Sequence, residues 1–318
     1  MSDFQTQVNI QIAPAVAGDF ASTNPRASVI AGPGSLVSGP AGLTIGAFAW
    51  MDVLRAYAAN TPPPGSSSDP DGFVGRQSNM GFITTFLGSS TMVIPKGMPV
   101  TIHNGGDFWV KNDSSAAALP GQKVYARLAD GLATAFAAAG TAVSTGGTAS
   151  TGSIAAGAAP SSASSTISGT VFTTGASVTN SFVPGTILTG SNVVTGTTIV
   201  AQLTGTTGKA GTYEVNIPQT VASTTISGSF GVFTPSGTIT GGFYVGDILS
   251  STTITTGTQI WGYGTGTAGG NSGTYYVSPS QTATGAATSA TSTIETSWYC
   301  ESFGAPGELV KISSAVSP

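Results

Sequence analysis

Thr195-Gly-Thr-Thr-Ile199 recurs as Thr256-Gly-Thr-Gln-Ile260, 61 positions further along the chain. At the same spacing Gly185 matches Gly246, Ile187-Leu188 matches Ile248-Leu249, and Val171-Phe172 matches Val232-Phe233. The register then slips by one, so that Gly211-Thr-Tyr213 answers to Gly273-Thr-Tyr275 and Gln219-Thr220 to Gln281-Thr282. A copied unit whose one insertion falls in a glycine-rich loop is the mark of a structural module. Thr/Ile/Val runs of four to six residues, broken by glycine, predict strands in two repeats of about 168–228 and 229–290, as a compact β-sandwich or short β-roll.

Composition points the same way. Charged residues are 7% of the chain against about 25% in ordinary soluble domains, and 45 glycines in 318 residues is about twice average usage. The 40% apolar content suffices for a core at this length. A surface with few like charges does little to keep copies apart, and β edges without Lys or Glu guards invite pairing. Such a surface is expected to be covered by partners. The net charge of −4 is spread without blocks, so no basic stripe exists to follow a phosphate backbone, and nucleic acid is excluded as a partner on this reading. A single cysteine, Cys300, leaves no internal disulfide and fits a reducing compartment. The start lacks a basic n-region and an apolar h-region, and the longest apolar stretch, Leu132 to Ala142, is too short to span a bilayer. These features predict a soluble chain made in a cytoplasm, with no membrane partner.

Charge also marks boundaries. Residues 1–131 hold seven basic side chains and eight aspartates, whereas 132–294 hold only Lys209, Glu214 and Asp247. Charge and aromatics return at Glu295. The expected organisation is therefore a first domain of 1–131 completed by 295–318, a low-complexity linker over 132–165, and the inserted repeats within 166–294. Val100 to His103 and Phe108 to Lys111, separated by Asn104-Gly-Gly-Asp107, predict a hairpin. Lys123 to Leu128 and Glu308 to Ile312 predict further strands, and Phe48 to Asn60 and Ser78 to Leu87 predict short helices. The fold class is all-β, with an N-terminal β-sandwich or barrel-like domain, completed by the C-terminal strand, and an inserted two-repeat module.

Motifs that carry chemistry fare poorly. Gly264-Thr-Gly266-Thr-Ala-Gly269 has the dinucleotide-binding glycine spacing but no predicted helix to receive a pyrophosphate, and the first repeat has Leu203 where the first glycine would stand. Asp69-Pro-Asp71-Gly72 opens like a calcium loop yet lacks its closing glutamate. His103 is the only histidine, so no histidine cluster can bind zinc. Cys300 has no evident partner and reads as a buried thiol. Glu214 and Asp247, at non-matching positions of the repeats, are the only carboxylates there that could form a glycosidase pair. Asn112-Asp-Ser114 is a formal glycosylation acceptor. No catalytic residue, metal or cofactor is expected.

One resemblance covers most of the first domain. Pro14-Ala-Val-Ala-Gly-Asp-Phe20, Asn24-Pro-Arg-Ala-Ser28, Ala31-Gly-Pro-Gly34, Gly46-Ala-Phe-Ala-Trp50, Gly72-Phe-Val-Gly-Arg76, Ile83-Thr84, Ile94-Pro-Lys-Gly97, Gly106-Asp-Phe-Trp109 and Gly121-Gln-Lys-Val-Tyr125 occur in one order, and Gly307-Glu-Leu-Val-Lys-Ile312 follows. This series resembles the structural cement protein family of tailed bacteriophages, over residues 8 to 131 and again at 307–312. The Gly/Thr module is similar to repeats appended to various phage virion proteins. The resemblance implies a non-enzymatic virion protein on the outer capsid surface, made in a bacterial host, that bridges neighbouring major capsid proteins. The chain is further expected to be a homo-oligomer, dimer or trimer, with the inserted repeats free to dock another head-surface or fibre protein.

The extended stretch Ala13 to Gly34 is the expected capsid-contacting arm, with Pro14, Asp19, Phe20, Asn24 and Arg26 as contacts. In that reading Phe20 is an apolar anchor and Arg26 the partner of a capsid carboxylate; the alternative places Phe20 in its own domain's core. A second function stands beside the first: a fibre or adhesin whose repeats bind a host glycan or receptor through Tyr244, Trp261, Tyr263 and Tyr276. Sugar binding requires several of these rings on one open face, whereas a structural module buries most of them.

Overall fold

The computed structural model describes residues 15–31, 35–52, 57–63, 68–76, 92–141, 143 and 146–315. The protein is all-β; among the described residues there is no helix. Two compact units are present, Met1–Val143 with Thr293–Pro318, and Ser144–Ser292.

The first unit begins with β1 (Ala27–Ser28), β2 (Val37–Ser38), β3 (Leu43–Thr44), β4 (Phe48–Asp52), β5 (Tyr57–Ala59), β6 (Gly72–Phe73), β7 (Val93–Ile94), β8 (His103–Gly105), β9 (Asp107–Lys111), β10 (Lys123–Arg127) and β11 (Ala133–Ala137). The second unit holds β12 (Thr148–Ala156), β13 (Ser161–Thr173), β14 (Val178–Thr179), β15 (Ile187–Gly190), β16 (Ile199–Gly205), β17 (Gly211–Ser229), β18 (Gly231–Thr240), β19 (Ile248–Ser250), β20 (Gln259–Tyr263), β21 (Tyr275–Ser278) and β22 (Ala283–Thr291). The chain then re-enters the first unit as β23 (Thr293–Cys300) and β24 (Leu309–Ser313).

In the first unit one sheet runs β1-β8-β6-β4-β5-β2 and the other β11-β10-β23-β24-β9, with β3-β7 as a separate pair. Phe48 and Phe73 from the first sheet meet Phe108 and Trp298 from the second, with ring centroids 5.2 to 6.3 Å apart. All four are at most 1% exposed. The period-two alternation of strands produces this: in β9, Phe108 and Val110 turn inward while Trp109 and Lys111 turn outward. β24 lies antiparallel on β9, from Leu309 opposite Lys111 to Ser313 opposite Asp107, and β23 on β10.

Three local expectations are corrected. β8 and β9 do not form a hairpin: β8 pairs with β1 and β6 while β9 pairs with β24. The chain turns from one sheet to the other at Gly106, whose φ of 126° suits glycine and whose N–H donates to Ser314 Oγ at 2.9 Å. Phe48 to Asn60 is not helical where described. β4 pairs with β5 on one side and β6 on the other, so ladder bonds and burial on both faces outweigh its helix-like spacing. The Ser78 to Leu87 helix lies outside the described residues. The supposed linker carries β11, β12 and the start of β13.

Within the second unit the sequence-matched positions hold matched contacts. Gln219 Nε2 donates to Thr197 Oγ1 at 2.6 Å and its Oε1 accepts Val194 N at 2.9 Å; Gln281 does the same with Thr258 Oγ1 at 2.6 Å and Thr255 N at 2.8 Å. Phe172, Phe182 and Tyr213 form one buried ring cluster, and Phe233, Phe243 and Tyr275 another. The topologies differ from a simple sandwich or roll. β14-β13-β17-β15 form an open sheet, with β16 also on β17, whereas β12-β18-β21-β20-β19-β22 close into a barrel. Closure explains why the small-residue run 148–156 is a strand. Thr148 pairs with Thr240 and Ser289, as Ser161 pairs with Thr179 and Ser227. β12 thus supplies the second segment with the strand that the head of β13 supplies to the first. Residues 222–229, which a strict repeat would use there, are already engaged in β17.

Candidate functional site

The N-terminal arm finishes a sheet edge. Gly18 N donates to Trp109 O at 2.7 Å, Trp109 N to Asp19 O at 2.9 Å, and Ala21 N to Asp107 O at 2.9 Å. Residues 18–21 therefore cover the outer edge of β9: an unpaired edge is a liability that the chain satisfies internally. Pro14 lies outside the described residues. Asp19 accepts Val16 N at 2.9 Å and pairs with Arg76 at 3.3 Å. Phe20 is 38% exposed and caps Phe108 and His103 at centroid distances of 5.2 and 5.9 Å, neither fully buried nor free. Arg26 places its guanidinium carbon 3.7 Å above the Phe20 ring, a contact of about 0.5–1 kcal/mol at an exposed site. Asn24 reaches Asp107.

Asp107 is the hub. Its Oδ2 accepts Ser22 Oγ at 2.5 Å and Asn24 Nδ2 at 2.6 Å, and its Oδ1 accepts Ser313 Oγ at 2.6 Å. Burial works to raise its pKa, but these three bonds outweigh it and hold the carboxyl below its ordinary value. Beside it a cavity of about 240 Å³ opens between the arm and β24, lined also by Glu301 and Lys311. Asp19, Phe20, Asn24 and Arg26 are thus gathered around one strand, while Asp107, Glu301 and the cavity went unseen in the sequence. No motif marks a carboxylate whose partners are 85 and 206 residues away.

His103 lies under Phe20 with neither ring nitrogen in a well-formed hydrogen bond among the described residues. Burial first, then the charge of Arg26, lower its pKa below 6.5, against a smaller opposing pull from the Ala27 backbone. The folded state therefore favours neutral imidazole, the unfolded chain takes up a proton near pH 6.5, and stability falls as pH drops through 6.5 toward the folded value. Denaturant midpoints measured from pH 7.5 to 5 are expected to fall in the wild type and to fall less in His103→Phe. His103 is the only histidine, so an unchanged pH slope contradicts this assignment.

A second exposed feature is apolar. Ala118 and Gly304 form an antiparallel bridge with both N–H groups bonded across it, at 2.9 and 3.2 Å, and both residues are buried. Their chain neighbours Leu119 and Phe303 are 48% and 63% exposed. Asn112 fixes this pair of loops: its buried amide donates to Ala116 O at 2.9 Å and Gly304 O at 3.1 Å. That burial also withdraws Asn112 as a glycosylation acceptor.

The four aromatics of the second unit are each partly buried and engaged. Tyr263 Oη accepts Val245 N at 3.1 Å, Tyr276 stands edge-on to Phe230 at 5.5 Å, Trp261 packs against Gly185, and Tyr244 against Gly269. Each of the four is thus held by a different neighbour within the unit. The remaining candidates resolve as structure. Gly264 to Gly269 leads from β20 through turns to β21, with no helix. Asp71 accepts Met51 N at 2.6 Å. The buried Cys300 thiol donates to Ser302 O at 3.0 Å, and burial pushes its pKa up. Fully buried Asp247 accepts Tyr244 N at 2.9 Å, the turn-closing role that Thr186 plays toward Val183 N at 3.2 Å in the first segment. Among the described residues no three His, Cys, Asp or Glu side chains converge as a metal site.

A family model described as XM1 gp53 minor capsid protein matches residues 4–162, half of the chain. No curated protein and no solved structure matches.

Proposed function

Because this chain belongs to the XM1 gp53 minor capsid protein family, a family of phage capsid-associated structural proteins, we propose that it is a non-enzymatic cement protein that binds the outer capsid surface. In this reading it bridges neighbouring major capsid proteins. The carrying observation is the family match itself, because residues 4–162 include nearly all of the N-terminal portion of the sandwich, with the arm and Leu119.

Physical reasoning supports the assignment. A shell under internal pressure fails at seams between subunits, and a bridging protein adds contact area that must separate before a seam opens. An ordinary specific interface buries about 1,600 Å², and the same contact repeats at each equivalent lattice site. The sandwich offers aromatic anchors of the type that dominate interface energies, Phe20 under Arg26 and the exposed Phe303. The inserted unit is then available to project or to dock another head-surface or fibre protein. The partial burial and individual packing partners of Tyr244, Trp261, Tyr263 and Tyr276 favour a structural module over a glycan-binding face.

Co-sedimentation of the purified full chain with heads that lack it tests the assignment. Saturable binding at a fixed ratio to the major capsid protein is expected, and no binding at micromolar concentration removes the cement reading.

A further inference from the structure

We infer that the cavity between the arm and β24 is a socket for one basic side chain, lysine or arginine, presented by a neighbouring protein of the capsid shell. The identity of that neighbour rests on the cement reading; the cationic chemistry does not.

Three separate stretches of chain converge to build the cavity: Ser22 and Asn24 from the arm, Asp107 at the start of β9, and Glu301, Lys311 and Ser313 around β24. Among the described residues, all the hydrogen bonds to the Asp107 carboxylate come from neutral groups, two hydroxyls and one amide. Neutral donors hold a carboxylate in place and keep it charged without cancelling its charge. A carboxylate has about four acceptor positions, and three are filled here, which leaves Oδ1 able to accept one more donor. Across the cavity the Glu301 side chain makes no hydrogen bond or ion pair among the described residues. Lys311 does not neutralise either group. Its ammonium lies 5.1 Å from the Trp109 ring centroid and forms no ion pair among the described residues.

The chain has only 13 acidic residues, yet two of them face one cavity of about 240 Å³ with a single cation that is turned to an aromatic face. What such a site lacks is a cation carrying several N–H donors, which a guanidinium or ammonium supplies. Phe20 and Arg26 stand on the same arm, two residues on either side of Ser22 and Asn24, so an apolar anchor and the socket would engage the same partner surface.

The clean variant is Glu301→Gln, because its carboxylate holds no bond among the described residues; Asp107→Asn is the second, with the arm contacts monitored by melting temperature. Two measurements use the full chain: affinity for heads lacking the protein, and backbone amide shifts on titration with N-acetyl-arginine amide. The expected result for Glu301→Gln is roughly a tenfold loss of head affinity with an unchanged melt, in keeping with loss of one interfacial charge pair. The probe is expected to shift Ser22, Asp107 and Lys311 in the wild type and to lose that effect in Glu301→Gln. Wild-type head affinity in Glu301→Gln, or no probe-induced shift at those residues, overturns the socket. Should the wild type itself ignore heads, the cement reading falls, and the probe titration alone decides the socket.

Discussion

Replacing Trp298 with alanine is expected to lower the stability of the first unit by about 3–5 kcal/mol, the usual cost of truncating a buried large aromatic. Trp298 touches Phe48, Phe73 and Phe108 and is 1% exposed, so it joins the two sheets of the sandwich from a strand that arrives only at the end of the chain. At this size each kcal/mol moves the melting temperature by about 2–4 °C, so a fall of roughly 10 °C is expected. Calorimetry distinguishes the two units. The transition of Met1–Val143 with Thr293–Pro318 should move and that of Ser144–Ser292 should not. A shift below 2 °C contradicts the placement of Trp298 between the sheets.

Excision of residues 158–229, with a two-residue Asn-Gly turn joining Gly157 to Phe230, is expected to leave a folded chain. Ala156 pairs with Gly231, and Gly157 N donates to Phe230 O at 2.9 Å, so the cut ends already lie side by side on antiparallel β12 and β18. The turn would convert them to a hairpin of the favoured type. The barrel core of Ile154, Phe233, Phe243, Leu249, Ile260, Tyr275 and Val277 is drawn entirely from outside the removed segment. Loss of Gly185 uncovers one side of Trp261, which predicts a modest cost and no unfolding. A variant without a cooperative melt contradicts the reading of β12 as the barrel's own strand. The same geometry makes the first segment an insertion within the second, which a left-to-right list of two repeats does not convey.

What the residues disclosed in advance follows from locality. Alternation and glycine punctuation are local signals, and they sufficed for an all-β chain and for the echo between Phe172 and Phe233. The partner of a strand is not local. Asn104-Gly-Gly-Asp107 has hairpin chemistry, yet β9 finds a better surface on β24, about 200 residues later. Phe48 to Asn60 has apolar spacing that suits a helix, and only the presence of β6 on its other side decides for a strand. The run 148–156 looked like a linker because its residues are small; its role depends on β18 and β22. At the candidate site, Phe20, Asn24 and Arg26 were legible because they sit on one short arm. Asp107, Glu301 and the exposed Leu119 and Phe303 were not, since each depends on contacts between distant segments.

In the proposed role this protein strengthens a shell by occupying its joints. Heads lacking the protein, heated with and without it while a dye reports DNA release, test that claim most directly. A release temperature several degrees higher on addition of the full chain is the expected result. Identical release curves, at concentrations where the protein is bound, would contradict it.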